Sequence, residues 1–200
     1  MLKIGVLVSG GGTNLQAIID NIENGQIKGA KIVTVISNVE EAYALERAKN
    51  HNIDAKLIKS KAYSNSTDYE KEVISYLQEK EVDLLVLAGY MKILSENFVK
   101  TFENKIINIH PALIPSFCGK GMYGLKVHEA ALERGVKITG ATVHFVNEGA
   151  DEGPIIIQKA VEVKPGDTPE ILQKRVMEEA EWVIFSEAIN MIINEEYNGN

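Results

Sequence analysis

Short apolar runs that suit buried strands alternate with amphipathic segments along the first half of this chain, and that alternation marks βαβ units. Ile4-Gly5-Val6-Leu7-Val8 reads as a first strand, and a helix follows from about Asn14 with Leu15, Ile18, Ile19 and Ile22 on one stripe. Lys31 to Ile36 is a second strand, Ala42 to Asn50 a helix, and Ala55 to Ile58 a short third strand. Thr67 to Lys80 carries Tyr69, Val73, Ile74 and Leu77 at helical core spacing. Asp83 to Ala88 and Lys105 to Ile109 supply a fourth and a fifth strand.

The pattern changes beyond about residue 136. Lys137 to Val146 and Pro154 to Val163 read as two long strands too close together for a helical crossover, so they are expected to be antiparallel. The last segment opens Asp167-Thr168-Pro169-Glu170, which places Asp167 as N-cap, proline in the first turn and Glu170 at the third helical position. Leu172, Val176, Ala180, Val183 and Ile184 then form the apolar stripe of one long helix. The expected fold class is α/β: an open, mainly parallel twisted sheet with helices on both faces, Rossmann-like, its late strands antiparallel. With no repeat, low-complexity tract or linker, residues 1–200 are expected to form a single domain.

Composition narrows the function. A formal net charge of −7 disfavours a nucleic-acid or membrane-surface binder, since both depend on basic patches. No apolar run reaches the length of a membrane span, and Met1-Leu2-Lys3-Ile4 runs into strand-like sequence without the layout of a secretory signal. Cys118 is the single cysteine, so no intramolecular disulfide can form. Together these features predict a cytoplasmic location.

Two places carry chemistry. Ser9-Gly10-Gly11-Gly12-Thr13-Asn14 joins the first strand to the first helix, where glycines allow close backbone approach and the helix offers N–H groups and a positive dipole end. Thr13 and Asn14 either cap that helix or bond phosphate oxygens. A dinucleotide fingerprint fails because Leu15 stands at the third glycine position and the second strand ends in Ser37-Asn38, with no acidic residue. A P-loop fails for want of its Gly-Lys-Ser/Thr ending. A site for one phosphate and a plain glycine turn both remain open.

The fifth strand ends Asn108-Ile109-His110-Pro111, and alternation sets Asn108 and His110 on one face at the carboxyl end of a strand, where ligands of open parallel sheets bind. Pro111 and Pro115 stiffen the loop that follows. Asp151, in Glu148-Gly149-Ala150-Asp151-Glu152-Gly153-Pro154, is either a turn residue or a partner that raises a histidine pKa or relays a proton. His144 is a second candidate, or a core histidine. No His/Cys/Asp/Glu spacing suggests a metal site, and no nucleophile elbow supports a Ser-His-Asp triad.

These segments, with Ala88-Gly89-Tyr90-Met91-Lys92-Ile93-Leu94, Pro111-Ala112-Leu113-Ile114-Pro115 and Val143-His144-Phe145-Val146, resemble the phosphoribosylglycinamide formyltransferase family from about Lys3 to the final helix. The resemblance implies transfer of the formyl group of 10-formyltetrahydrofolate to the amine of glycinamide ribonucleotide, in purine synthesis. It implies that Gly12, Thr13 and Asn14 bind the substrate phosphate and that Glu181 contacts the same substrate, with a register open by about one position. Met91, Lys92, Ile93 and Leu94, and the turn Asn147, Glu148, Gly149, Ala150 and Asp151, would line the pterin pocket, with Asn108 beside them. Asn108, His110 and Asp151 match the catalytic trio: Asn108 donating to a developing oxyanion, His110 held protonated by Asp151, and Asp151 aiding proton removal from the amine. Small-molecule substrates, no metal, no nucleic acid, no membrane, and a monomer or homodimer are the partners this implies.

Three features depart from the family's pattern. Phe117-Cys118-Gly119-Lys120-Gly121-Met122-Tyr123-Gly124 has cysteine where proline is common, and is long. Tyr63-Ser64-Asn65-Ser66 lacks an arginine that would meet the folate tail, and Ser186 replaces a frequent proline. Two related activities are rivals. A formyltetrahydrofolate hydrolase usually carries an N-terminal regulatory domain, and methionyl-tRNA formyltransferase a C-terminal one; the 200-residue chain is expected to have room for neither. A non-catalytic phosphate-binding module is the alternative from another class.

Overall fold

In a computed structural model that describes residues 1–195, seven strands order as β3-β2-β1-β4-β5-β6-β7. The chain divides into two compact units, residues 1–107 and Asn108 onward.

The first unit holds β1 (Leu2–Val8), α1 (Thr13–Glu23), β2 (Ala30–Ser37), α2 (Tyr43–Asn50), β3 (Ala55–Leu57), a 3₁₀ turn (Ser60–Ala62), α3 (Ser66–Glu79), β4 (Leu84–Leu87) and α4 (Glu96–Thr101). β1 pairs in parallel with β2 and β4, and β2 with β3. Parallel strands need crossovers, and the amphipathic segments supply them. Val6, Leu7, Val8, Leu85 and Val86 are fully buried, as are Leu15 and Ile18 of α1 and Val73 and Leu77 of α3. Local chemistry sets the helix starts. Asn65 Oδ1 accepts from Asp68 N at 2.8 Å at the head of α3, and Ser95 Oγ accepts from Phe98 N at 3.2 Å at the head of α4.

The second unit holds α5 (Leu125–Arg134), β6 (Ile138–Phe145), β7 (Ile155–Glu162), α6 (Pro169–Val176), a π-helical turn (Met177–Glu181) and α7 (Trp182–Ile193). β5 (Ile106–His110) crosses the boundary. β6 and β7 are antiparallel, with a register shift between Val143 and His144. Leu172, Val176, Ala180, Ile184 and Phe185 are buried along the last helical segment. The α/β class, the mainly parallel sheet and the antiparallel late strands are as the sequence predicts.

Three local expectations are corrected. Thr168, not Asp167, caps α6: its Oγ1 accepts from Ile171 N at 3.3 Å. The Asp167 carboxylate instead takes both arms of the Arg175 guanidinium, at 2.5 and 2.6 Å, and a planar fork outcompetes a capping N–H for a carboxylate. The long final helix is interrupted by the π turn, which takes up one residue more than an α turn and ends at Glu181. α4 and α5 have no counterpart among the elements expected from the sequence.

Candidate active site

In the first unit, three strands end around the glycine loop. Ser9 ties them: its N–H donates to Gly89 O at 3.1 Å, its Oγ donates to Asn38 Oδ1 at 2.7 Å, and Met91 N donates to its Oγ at 2.9 Å. Gly12 occupies the N-cap of α1 with φ 72° and has no side chain to cap it, so Thr13 and Asn14 sit within the first turn. A side chain at Gly12 is excluded twice over. The backbone is left-handed, and a Cβ there would lie 2.6 Å from the Ala44 Cβ of α2. This geometry suits an anion at the helix N-terminus.

The segment Met91–Leu94 leaves Met91 and Ile93 exposed although both are apolar. Lys92 Nζ lies 5.3 Å above the ring of Tyr69, whose hydroxyl meets that of Tyr90 at 2.7 Å. Exposed apolar side chains next to a rigid polar pair are chemistry that a flat heteroaromatic ring can use.

In the second unit, Asn108, His110 and Asp151 come together, and His144 joins them. His110 Nε2–H donates to the Phe117 carbonyl at 2.8 Å, which leaves Nδ1 facing Asp151 Oδ2 at 3.5 Å. Asp151 Oδ2 also accepts from Gly119 N at 2.9 Å, and its Oδ1 lies 3.6 Å from His144 Nε2. His144 Nδ1–H donates to the Phe145 carbonyl at 2.8 Å, and its Nε2 lies 3.3 Å from Asn108 Nδ2. The Asn108 amide carries two protons, and one that points away from His144 can reach an oxyanion.

Electrostatics sharpen the roles. Burial drives the His110 pKa down, and His144 adds to this; the Asp151 charge and the Phe117 carbonyl oppose it without prevailing. Where the resemblance implies that Asp151 holds His110 protonated, burial works against the charged ring more strongly than one anion at 3.5 Å works for it. For Asp151, burial raises the pKa, but hydrogen bonding with His144 and Gly119 N and the charges of His110 and His144 lower it further, so the carboxyl ionises below its usual range. Cys118 moves the other way: burial, then Asp151 and Glu152, raise its thiol, so it is a poor nucleophile.

The loop after β5 is pinned by residues that no sequence motif singles out. Thr142 Oγ1 donates to Ala112 O at 2.7 Å and accepts from Ile114 N at 3.1 Å, and Gln158 Nε2 donates to Ile114 O at 3.0 Å. These bonds place the Phe117 carbonyl and Gly119 N–H. Such backbone groups carry no residue-type signal. His128 on α5 is also absent from the residues the sequence pointed to. It is fully buried, neither ring nitrogen has a hydrogen-bond partner among the described residues, and burial, with a smaller push from His110, pulls its pKa to about 4.

The turn from Asn147 to Asp151 is shaped by Asn147 Oδ1, which accepts from Gly149 N at 3.0 Å, and by Asp151 at φ 61°. Glu181 closes the π turn and is buried. Among the described residues one grouping has metal-ligand atoms within 4.8 Å of one another, Asp20, Glu23 and His51 of the first unit, where His51 Nδ1 already meets Glu23 Oε1 at 2.7 Å. No helix among the described residues is long and apolar enough to cross a membrane.

The sequence pattern described as "Formyl transferase" matches residues 2–189. Phosphoribosylglycinamide formyltransferase of Haemophilus influenzae is 46% identical over 179 residues, covering 90% of this chain and 82% of the relative. The chicken trifunctional purine biosynthetic protein adenosine-3 is 44% identical over 191 residues, and the chain spans only 18% of its length. Among solved structures, glycinamide ribonucleotide transformylase 1 from Symbiobacterium toebii superposes with a TM-score of 0.91 at 45% identity, covering 98% of this chain and 89% of that one.

Proposed function

Because the chain belongs to the formyl transferase family, we propose that it moves the formyl group of 10-formyltetrahydrofolate onto the amine of glycinamide ribonucleotide, in purine biosynthesis. The observation that carries this reading is the meeting of Asn108, His110, His144 and Asp151 in one hydrogen-bonded and charged cluster.

Each residue type answers a need of the reaction. As the amine nitrogen bonds the formyl carbon, the formyl oxygen gains negative charge, and the spare proton of the Asn108 amide donates to it. The amine must lose a proton and the folate nitrogen must gain one as its bond to carbon breaks. His110, neutral at rest, accepts the amine proton at Nδ1, where the Asp151 carboxylate stabilises the imidazolium that forms, and the imidazolium then gives that proton to the departing folate nitrogen. Gly12, Thr13 and Asn14 take the ribonucleotide phosphate, and Glu181 contacts that same substrate. Met91, Lys92, Ile93, Leu94 and residues 147–151 take the pterin; the exposure of Met91 and Ile93 supports this. The protein acts in the cytoplasm as a monomer or homodimer, as one formyltransferase domain over residues 1–200, without metal, nucleic acid or membrane.

The test is purified protein with 10-formyltetrahydrofolate, with and without glycinamide ribonucleotide, followed by folate absorbance and mass analysis of the acceptor. Formylated ribonucleotide is the expected product. Folate release without ribonucleotide would identify a hydrolase. No product under either condition would favour a phosphate-binding module.

A further inference from the structure

We propose that Arg47 is a positioning residue that sets the glycine loop in its anion-binding form; this rests on the reading of that loop as the phosphate site. Three consecutive loop carbonyls are each claimed by a donor. Gly10 O accepts from Ala44 N at 3.2 Å, Gly11 O from Arg47 Nε at 2.8 Å, and Gly12 O from Gln16 N at 2.9 Å. In a trans peptide the N–H points opposite the C=O of the same plane. Turning the Gly10 and Gly11 carbonyls onto α2 therefore turns the N–H groups of Gly11 and Gly12 away from α2, where an anion can collect them.

Two of the three donors are backbone groups that any sequence would have. Arg47 supplies the side-chain donor. Its guanidinium is itself held in place. Nη1 donates to Gln16 Oε1 at 3.0 Å, Gln16 Nε2 donates to Asp20 Oδ1 at 2.8 Å, and the guanidinium carbon lies 5.0 Å from the Tyr43 ring centroid. A guanidinium can serve Gly11 O and Gln16 together through two nitrogens in a fixed fork, whereas an ammonium is a single point. Arg47 thereby links α2 to both the loop and α1.

The experiment compares Arg47→Ala and Arg47→Lys with the parent protein. Arg47→Ala is expected to raise KM for glycinamide ribonucleotide by about ten-fold or more, as for loss of a charge-assisted hydrogen bond. Its kcat and its KM for 10-formyltetrahydrofolate should stay within about two-fold, and Arg47→Lys should fall between. Glycinamide riboside, which lacks the phosphate, should be used equally well by parent and Arg47→Ala. A purely structural role would raise both KM values and penalise the riboside as well, and that outcome would overturn the proposal. So would an unchanged ribonucleotide KM. Amide hydrogen exchange at residues 11–14 with inorganic phosphate gives a second readout. Phosphate should slow exchange in the parent and fail to do so in Arg47→Ala; equal slowing in both overturns the proposal. If the parent makes no formylated product, the transferase reading fails, and the exchange comparison still decides the role of Arg47.

Discussion

His110 stands beside an anion and still gives up its proton more readily than a free imidazole, because burial penalises the charged ring more than Asp151 stabilises it. A general base needs that neutral state. The acid limb of kcat is therefore expected to have its midpoint below the ordinary histidine value. Asp151→Asn removes a charge that raises the His110 pKa, so it should shift the limb further toward acid while lowering the plateau. A limb that moves toward alkali on this substitution would refute the assignment. Asn108→Ala is expected to cost about 100- to 1,000-fold in kcat with little change in ribonucleotide KM, as for loss of an oxyanion donor. Near-normal turnover would remove Asn108 from that role. At this scale the sequence is readable where chemistry follows strand alternation: two polar side chains on one face at a strand end point to Asn108 and His110. It is unreadable where the groups are Phe117 O and Gly119 N–H, because every residue has a backbone.

The turn between β6 and β7 carries Asp151, and Gly153 lets it close. A Cβ at Gly153 would lie 1.8 Å from the Phe145 carbonyl oxygen, so the turn folds back onto the end of β6 with no room to spare. Phe145 N donates to Pro154 O at 2.8 Å across the same closure. Gly153→Ala must push the strands apart, at an expected cost of about 1–3 kcal/mol read from urea denaturation, with turnover falling as Asp151 is displaced. An unchanged denaturation midpoint would show that the turn has slack. The strands β6 and β7 can be read in advance because long apolar runs so close in sequence cannot cross over. α4 cannot, since six residues show no period. α5 escapes for another reason: its buried positions are Val127, His128 and Ala131, a face too small and too polar to register as a stripe, although Gly135 caps its end in the left-handed conformation. The π turn is invisible because a stripe that gains one residue still reads as a stripe.

We propose that the two compact units, residues 1–107 and Asn108 onward, unfold together as one domain. Urea unfolding monitored by fluorescence and circular dichroism should then give one coincident transition; two separated transitions would divide the chain. The pH dependence of that transition has a stated direction. His128 has its folded pKa lowered from 6.5 to about 4, with both ring nitrogens buried and without a partner among the described residues. Above pH 6.5 the ring is neutral in both states and the stability is fully present. As pH falls from 6.5 toward 4, the unfolded chain binds a proton that the folded chain refuses, so stability drops, by about 3 kcal/mol at most from this residue. His110, also lowered, acts with the same sign. Asp151 adds its loss at more acid pH, below the ordinary carboxyl value of 3.8, as its lowered pKa is crossed. His128→Leu should keep its stability at about pH 7.5 and lose less of it by about pH 4.5 than the parent does. Equal losses in the two proteins over that interval would mean that the His128 ring is protonated without leaving its site.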